Sequence, residues 1–463
     1  MHLTRRTMIS GLVATAAASA LPRPLHAQTE AAETLTARAA TARIAPADYP
    51  DTAVWSYNGA VPGAPIRLRQ GERLRRLFRN DLDQPGTVHW HGIRIDNAMD
   101  GVPGLTQSVV APGDSYLYDF ELPDAGTYWF HPHNRAWEQM ARGLSGALIV
   151  EETNGAPEVA LDEVLLIDDW RLSEDGQIAG GFNDMHDWAH AGRIGNWVTV
   201  NGTGGWRRMV ARNARVRLRL INAANARIFN VAAQGLEGWI VALDGMPLDA
   251  PRRFDQLTLA PAQRADLVVD VTATVDEKAY LVGLEGNSGY ALATFDVDGE
   301  AHAERLPAPN ALPANPVSAL GAVNEARRIE LRMEGGAMGS MRGATMSGRM
   351  MGMSELVNAG KVWAFNGMAD MPDNPLFEAR AGETVKVAIV NDTAWPHAMH
   401  LHGHHFRQVL RDGTTGPLRD TLLMDRDESV EIAFVADNPG DWLLHCHMLE
   451  HSAGGMMTWL RVT

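Results

Sequence analysis

The chain has 463 residues, 45% of them hydrophobic and 21% charged, the make-up of a globular protein too long for one core, so two to four domains are expected. Its formal net charge of -15 argues against nucleic acid as a partner, because binding phosphates requires clustered Lys and Arg. A single cysteine, Cys446, excludes an internal disulfide and leaves an inert buried thiol, a nucleophile or a ligand.

Residues 1–27 read as an export signal: Arg5 and Arg6, an apolar stretch from Met8 to Leu21, then small residues before Gln28. The stretch is too short and too alanine-rich to span a bilayer, so no stable membrane insertion is expected. Thr4-Arg5-Arg6-Thr7 resembles a twin-arginine signal, which implies the twin-arginine export machinery as a partner and a periplasmic destination. Cleavage is expected after Ala27, with Ala20 as the alternative.

One pattern then occurs three times. WSYNGAVPGAPIRLRQGERLRRLFRN (55–80), WVTVNGTGGWRRMVARNARVRLRLIN (197–222) and WAFNGMADMPDNPLFEARAGETVKVAIVN (363–391) share an aromatic start, an Asn-Gly turn and an alternating strand ending in Asn. The first and third copies also share an end: Gly126 stands five residues before His131, and Gly440 five before His445. Short alternating strands between turns predict an all-β chain of antiparallel sandwiches, at 33–153, 158–300 and 326–463. The Pro/Ala-rich stretch 302–323 is the second linker.

Four histidine pairs spaced i, i+2 stand in the outer units and none in the middle one: His89 and His91, His131 and His133, His400 and His402, His445 and His447. On an extended strand both rings of a pair face one way. A lone pair is ordinarily structural, but eight rings in two repeated units point to more than one bound metal ion. Cys446, between two of those rings, must point to the other side of its strand, toward a second site. His397, three residues before His400, shares that other side, and His451 and Met456 follow the cysteine by five and ten residues. Two imidazoles, a thiolate and a weak thioether are the donors of a blue-copper electron-transfer centre.

HWHG at 89–92, HPH at 131–133, His397 to Gly403 and HCHMLEHSAGGMM at 445–457 resemble the four copper motifs of the multicopper oxidases, the laccase and cuprous oxidase family. The resemblance implies three cupredoxin-like Greek-key β-sandwich domains, the middle one without copper ligands, and four copper ions. His397, Cys446, His451 and Met456 would take type 1 copper; His89 and His400 the type 2 ion; His91, His131, His133, His402, His445 and His447 the type 3 pair. It implies dioxygen as the electron acceptor, reduced to water, and a monomer is expected. Asp100 stands where relatives carry an acid that supplies protons to the cluster. Ser452 replaces a proton-donating glutamate of some relatives, so that route is absent or altered. Ala398 replaces the usual proline, and Met457 beside Met456 is the other candidate axial thioether. The remaining histidines (His2, His26, His186, His190, His302, His404 and His405) are read as surface or core residues.

The segment 333–353 carries seven of the 21 methionines: Met333, Met338, Met341, Met346, Met350, Met351 and Met353. Met346, Met350 and Met353 have the spacing that a helix would align on one face, and six glycines argue against an ordinary packed core. Thioethers are soft ligands suited to Cu(I). Bacterial cuprous oxidases carry a methionine-rich insert over the type 1 site, and this segment resembles one. Met338, Met341, Met346, Met350, Met351, Met353 and Asp392 are therefore candidate ligands for an additional substrate copper, with Met368 and Met371 nearby. Relatives with a defined substrate site have an acid and a methionine where this chain has Thr393 and Trp395. Cu(I) is the expected substrate; a laccase acting on small phenols or aromatic amines is the alternative. A non-enzymatic periplasmic copper-binding protein is a third reading, although such relatives lack the ligand histidines. A copper nitrite reductase would have two domains and no trinuclear set.

Overall fold

The computed structural model describes residues 32–463; the export signal expected at 1–27 lies outside them. Strands form three successive sandwiches. In the first, Thr52–Tyr57, Glu33–Ala42, Arg73–Asn80 and Ser115–Glu121 face a sheet of Gly63–Arg69, Gly146–Glu151, Gly126–His131 and His89–His91. The second pairs a six-stranded with a five-stranded sheet, and the third does the same with an added two-stranded hairpin. In each unit the first strand runs parallel to the strand that ends in the repeated Asn, the crossover expected of a Greek key rather than a simple meander. The architecture is the all-β, three-domain cupredoxin-like one that the sequence predicts. Among the described residues no helix is long and apolar enough to cross a membrane.

The repeated asparagines have one structural job each, performed three times. Asn58, Asn201 and Asn366 sit at φ of 55°, 52° and 49°, each followed by a glycine at positive φ, as a tight hairpin turn demands. Each side chain also clamps the unit's first strand: Asn201 accepts from Leu166 N–H at 2.9 Å and donates to Val164 O at 2.7 Å. Asn58 does the same on Thr36 and Thr34, and Asn366 on Arg332 and Glu330. At the strand ends, buried Asn80, Asn222 and Asn391 each donate two hydrogen bonds to backbone carbonyls and accept one from a backbone N–H two residues on. The repeat is thus a set of turn and strand-end locks.

The alternating strand Arg215–Asn222 is buried along its whole length. Its arginine face meets the first unit, where Arg217 pairs with Glu152 at 2.8 Å and Arg219 donates to Thr127 Oγ1 at 3.1 Å, while Asp266 and Asp162 of its own unit hold the two guanidinium groups at 2.6 Å each.

The methionine-rich segment is not a helix. Met333 is buried in the core strand Arg327–Gly335, and beyond it Gly343–Met346 and Arg349–Gly352 form a hairpin through Ser347-Gly348, both at positive φ. Only Met353–Asn358 is helical. Interior glycines each cost a helix about 1 kcal/mol, and Ser-Gly supplies a two-residue turn, so the hairpin prevails. Met341, Met346, Met351 and Met353 pack around Ala344, Leu356, Ala364 and Ala369, while Met338 and Met350 stay 80% and 68% exposed.

Candidate metal centres

Strand Gly440–Cys446 lies between His397–Leu401 and Met457–Val462, with Met399 opposite Cys446 and His400 opposite His445. This register sends Cys446 Sγ one way and its neighbours' rings the other. Cys446 Sγ is 3.5 Å from His397 Nδ1 and 3.9 Å from His451 Nδ1, and the two Nδ1 atoms are 3.0 Å apart. Met456 is buried beside them, its carbonyl accepting from the Cys446 N–H. The outer ring nitrogens are occupied: His397 Nε2 donates to Thr393 Oγ1 at 2.9 Å and His451 Nε2 to the His190 carbonyl at 2.7 Å. Both Nδ1 lone pairs therefore face the sulfur. Burial lowers His397 far below the usual imidazole range and His451 to about 4, so both rings are neutral, the form that binds metal. Burial pushes the Cys446 thiol up to about 12, so a cation is what would ionise it.

On the other side the eight remaining rings meet between the first and third units. His91, His131 and His447 offer nitrogens within 4.8 Å of one another, and so do His133, His402 and His445. Within the triplets, His131 Nε2 is 3.3 Å from His447 Nε2, and His402 Nε2 is 3.2 Å from His445 Nε2. His89 and His400 donate their Nδ1–H to the carbonyls of Asp100 and Asp420, at 2.7 and 2.9 Å. Their Nε2 atoms are buried with no hydrogen-bond partner. Leaving such atoms unpaired costs about 1–3 kcal/mol each, which a bound cation would offset. Copper fits all these donors: imidazoles and, at one site only, a thiolate and a thioether.

Three groups hold this cluster in shape. Asp420 faces His91 Nε2 at 3.3 Å, turning the His91 Nδ1 atom toward His131. Burial works to raise the Asp420 carboxyl, but Arg264 and the rings of His400 and His91 hold it well below the usual range. Arg264, from the middle unit, is fully buried and bonds Asp420 at 2.8 Å and the Thr127 carbonyl at 3.2 Å. Gly92, the glycine of HWHG, has φ of 87°, and a Cβ there would lie 2.1 Å from the Arg264 guanidinium. Asp100 lies 3.0 Å from His402 Nδ1, joining two rings of different sequence pairs.

The ten ligand histidines expected from sequence, Cys446 and Met456 thus fall into two neighbouring groups, and Asp100 touches the larger. Ser452 Oγ is 3.3 Å from His445 Nδ1, within reach of the cluster but without a carboxylate. Thr393 accepts from His397, and Asp392 is paired with Arg332 at 2.8 Å rather than with a methionine. Met346, Met368, Met371 and Met457 line one side of a cleft of about 600 Å³. Sequence reasoning missed Asp420, Arg264 and the His190 carbonyl. Asp420 was accessible in principle, because Thr421 is the strand partner of His400; Arg264 and His190 come from the middle unit and have no local signal.

Three sequence profiles described as multicopper oxidase match residues 38–155, 162–298 and 347–463. The chain is 28% identical to the multicopper oxidase MmcO of Mycobacterium tuberculosis, over 93% of this chain and 88% of that one. It resembles the crystal structure of Lac15 from a marine microbial metagenome at 40% identity and a TM-score of 0.77, covering 93% of this chain and 100% of that one. Against the multi-copper oxidase of Pseudomonas thermotolerans the identity is 31% and the TM-score 0.81, over 94% and 99% of the two chains. Likeness that runs nearly end to end has a plain consequence: this chain belongs to the multicopper oxidase family of copper-binding oxidoreductases.

Proposed function

We propose that the chain is an exported multicopper oxidase that takes single electrons from Cu(I) and passes them in fours to dioxygen, as a defence against copper. One observation carries the reading: the Cys446 sulfur faces His397 and His451, while its two neighbours in sequence, His445 and His447, belong to the two different triplets. On this reading His397, Cys446, His451 and Met456 hold type 1 copper, His89 and His400 type 2, and the two triplets the type 3 pair. Copper bound there supplies one-electron exchange at the first site and oxygen reduction at the second. The chain does the rest. Strand 440–446 provides a covalent link between the sites; hydrogen bonds to the outer ring nitrogens keep the imidazoles aimed; Asp100, buried against His402, is the acid that serves proton delivery.

The choice of Cu(I) is supported by the methionine cover. Met338 and Met350 are the two most exposed large hydrophobic side chains among the described residues, at 80% and 68%. Exposed thioethers are costly as packing but suited to a soft ion. The first measurement is oxygen uptake by the copper-loaded protein with Cu(I) and with a simple phenol, alongside Cys446→Ser and a deletion of residues 338–353. Cu(I)-driven uptake lost in both variants, with phenol oxidation kept or improved in the deletion, supports the reading; equal loss of both activities in the deletion counts against a dedicated copper path.

A laccase reading is favoured by one feature, the cleft of about 600 Å³ beside Met457, lined by Phe365, Leu376, Met346, Met368 and Met371. An aromatic ring would fit that apolar surface. Fast phenol turnover with little response to Cu(I) would decide for it.

A further inference from the structure

The last carbonyls of a helix find no partner within it and must be satisfied from elsewhere. At the end of Met185–Ala189, on the middle unit, the five successive carbonyls from His186 to His190 all accept hydrogen bonds. Those of His186 and Asp187 accept locally, from His190 Nδ1 at 2.9 Å and from the Gly192 N–H at 3.0 Å. The next three accept from the third unit. Trp188 O takes the Trp363 indole N–H, Ala189 O the Ala337 N–H and His190 O the His451 ring N–H, each at 2.7 Å. Trp363 is fully buried, its ring centroid 4.5 Å from that of His451 and 5.1 Å from that of His397. So one of the three donors is a member of the sulfur-containing group and another lies against both its rings. His397 is oriented by Thr393 of its own unit, whereas His451 is oriented from outside.

One ion pair braces the turn that presents these carbonyls. Arg171, just past the strand Leu161–Trp170, bonds both Asp187 carboxylate oxygens, at 2.6 and 3.0 Å, and the Ile194 carbonyl at 3.0 Å. It therefore spans the turn, tying the residue before Trp188 to one beyond His190. A two-pronged arginine–carboxylate pair fixes direction as well as distance, and Asp187 is buried. From the same unit, Asn225 donates to Glu450 at 3.0 Å and accepts the Leu449 N–H at 3.1 Å, gripping the helix Leu449–Ala453 that carries His451. The middle unit supplies none of the metal donors, yet it holds His451 by ring and by helix at once.

We propose that Arg171 and Asp187 are positioning residues for the type 1 site, through which the middle unit sets how strongly His451 binds its metal. The inference rests on His397, Cys446, His451 and Met456 holding copper, and on no choice of substrate. An imidazole whose outer N–H is held by a carbonyl is a stronger donor to a metal. A stronger donor favours the more positive oxidation state. Slackening the pair loosens the carbonyl from the ring and moves the site toward its reduced form.

The test uses the copper-loaded full chain under argon. The blue absorption is titrated against a redox dye of known potential for wild type, Asp187→Ala, Asp187→Asn and Asp270→Ala. The last opens a comparable pair of the same unit, in which Arg215 bonds Asp270 at 2.7 and 3.0 Å and reaches the carbonyls of Leu306 and Pro307 instead. In Asp187→Ala the equilibrium should shift toward the reduced form about tenfold, roughly 59 mV for one electron. Asp187→Asn, which keeps one acceptor for Arg171, should shift less, and Asp270→Ala not at all. Copper content and the urea midpoint are read on the same samples. A lowered midpoint in Asp187→Ala with the dye equilibrium unmoved would make the pair a structural brace only and overturn the inference, as would equal shifts in Asp187→Ala and Asp270→Ala. If Asp187→Ala does not fold, the nearly isosteric Asp187→Asn decides, and an unmoved equilibrium there overturns it too. Copper-loaded wild type without blue absorption would instead remove the type 1 reading beneath the inference, a failure visible before any variant is made.

Discussion

The two faces of strand 440–446 are built on opposite principles. On one side, seven of the eight cluster rings are buried and His133 is half-buried, each placed by strand register and most fixed through the second nitrogen. On the other, His397, Cys446, His451 and Met456 are just as buried, but what lies against the two rings is Trp363 and a turn of the middle unit, and the hairpin that packs around the neighbouring Ala364 leaves two methionines open. On the proposed reading, a site that reduces oxygen must exclude stray chemistry, whereas one that collects electrons from a metal ion must be approachable. The sealed side is framework and the covered side is interface, and substitutions in the two should differ in kind.

The largest effect is expected where the framework is held by a buried charge. Arg264→Leu leaves Asp420 ionised and unpaired in the interior, at a cost of about 3–5 kcal/mol. It also frees the rings of His91 and His400, and copper affinity of the cluster should fall about 10–100-fold. Copper analysis and urea unfolding would show both; full occupancy with an unchanged midpoint would mean that the middle unit plays no part in holding the cluster.

Asp100→Asn keeps an acceptor for His402 Nδ1 but removes an exchangeable proton. Oxygen consumption should fall about 100-fold with blue absorption retained, and its pH profile should change shape. A slower enzyme with an unaltered profile would leave Asp100 a purely positioning residue.

Acid should separate the buried rings from the surface. Burial lowers His404 and His451 to about 4 and His133 to about 3, against about 6.5 in the unfolded chain. Between those values the unfolded chain binds protons that the folded one refuses, so stability of the copper-free protein is full above pH ~6.5 and is lost as pH falls toward 4. Calorimetry from pH 7 to pH ~4.5 should show a steadily falling midpoint; a flat one would mean that these rings titrate normally.

Asn222→Ala and Asn391→Ala sharpen the comparison between a unit without copper ligands and one with them. Each removes three hydrogen bonds at the same place in its unit and should cost a similar amount, about 1–3 kcal/mol. Only Asn391 also accepts from Thr393 Oγ1, the group that orients His397, at 2.7 Å. The blue absorption should therefore shift in Asn391→Ala alone.

The asparagines explain why so much of the molecule was legible. Turn residues and strand-end locks are local, and the i, i+2 histidines exploit the two-residue period of a strand, so both the three sandwiches and the donor groups follow from spacing. Their partners do not. Arg264 reaches the cluster from another unit, and the arginine face of 215–222, which alternates like a solvated strand, is buried against the first unit. The methionine segment misled for a different reason: its i, i+4, i+7 spacing fits a helix, but glycines and the Ser347-Gly348 turn decide for a hairpin. Periodicity states what a segment could bury, and local backbone cost decides its shape.

The smallest effect is the most diagnostic of the cover. Met350 is 68% exposed on the hairpin, beside Thr345 across the pair. Leucine has nearly its volume and apolar character, so Met350→Leu should change stability by no more than about 0.5 kcal/mol. If the hairpin were merely a lid, leucine would serve equally and no substrate would notice. If sulfur is what the hairpin offers, KM for Cu(I) should rise roughly threefold, about 0.6 kcal/mol, with phenol oxidation unmoved. The exchange alters a soft donor and almost nothing else, so a selective loss, however small, would assign the cover to the ion rather than to packing.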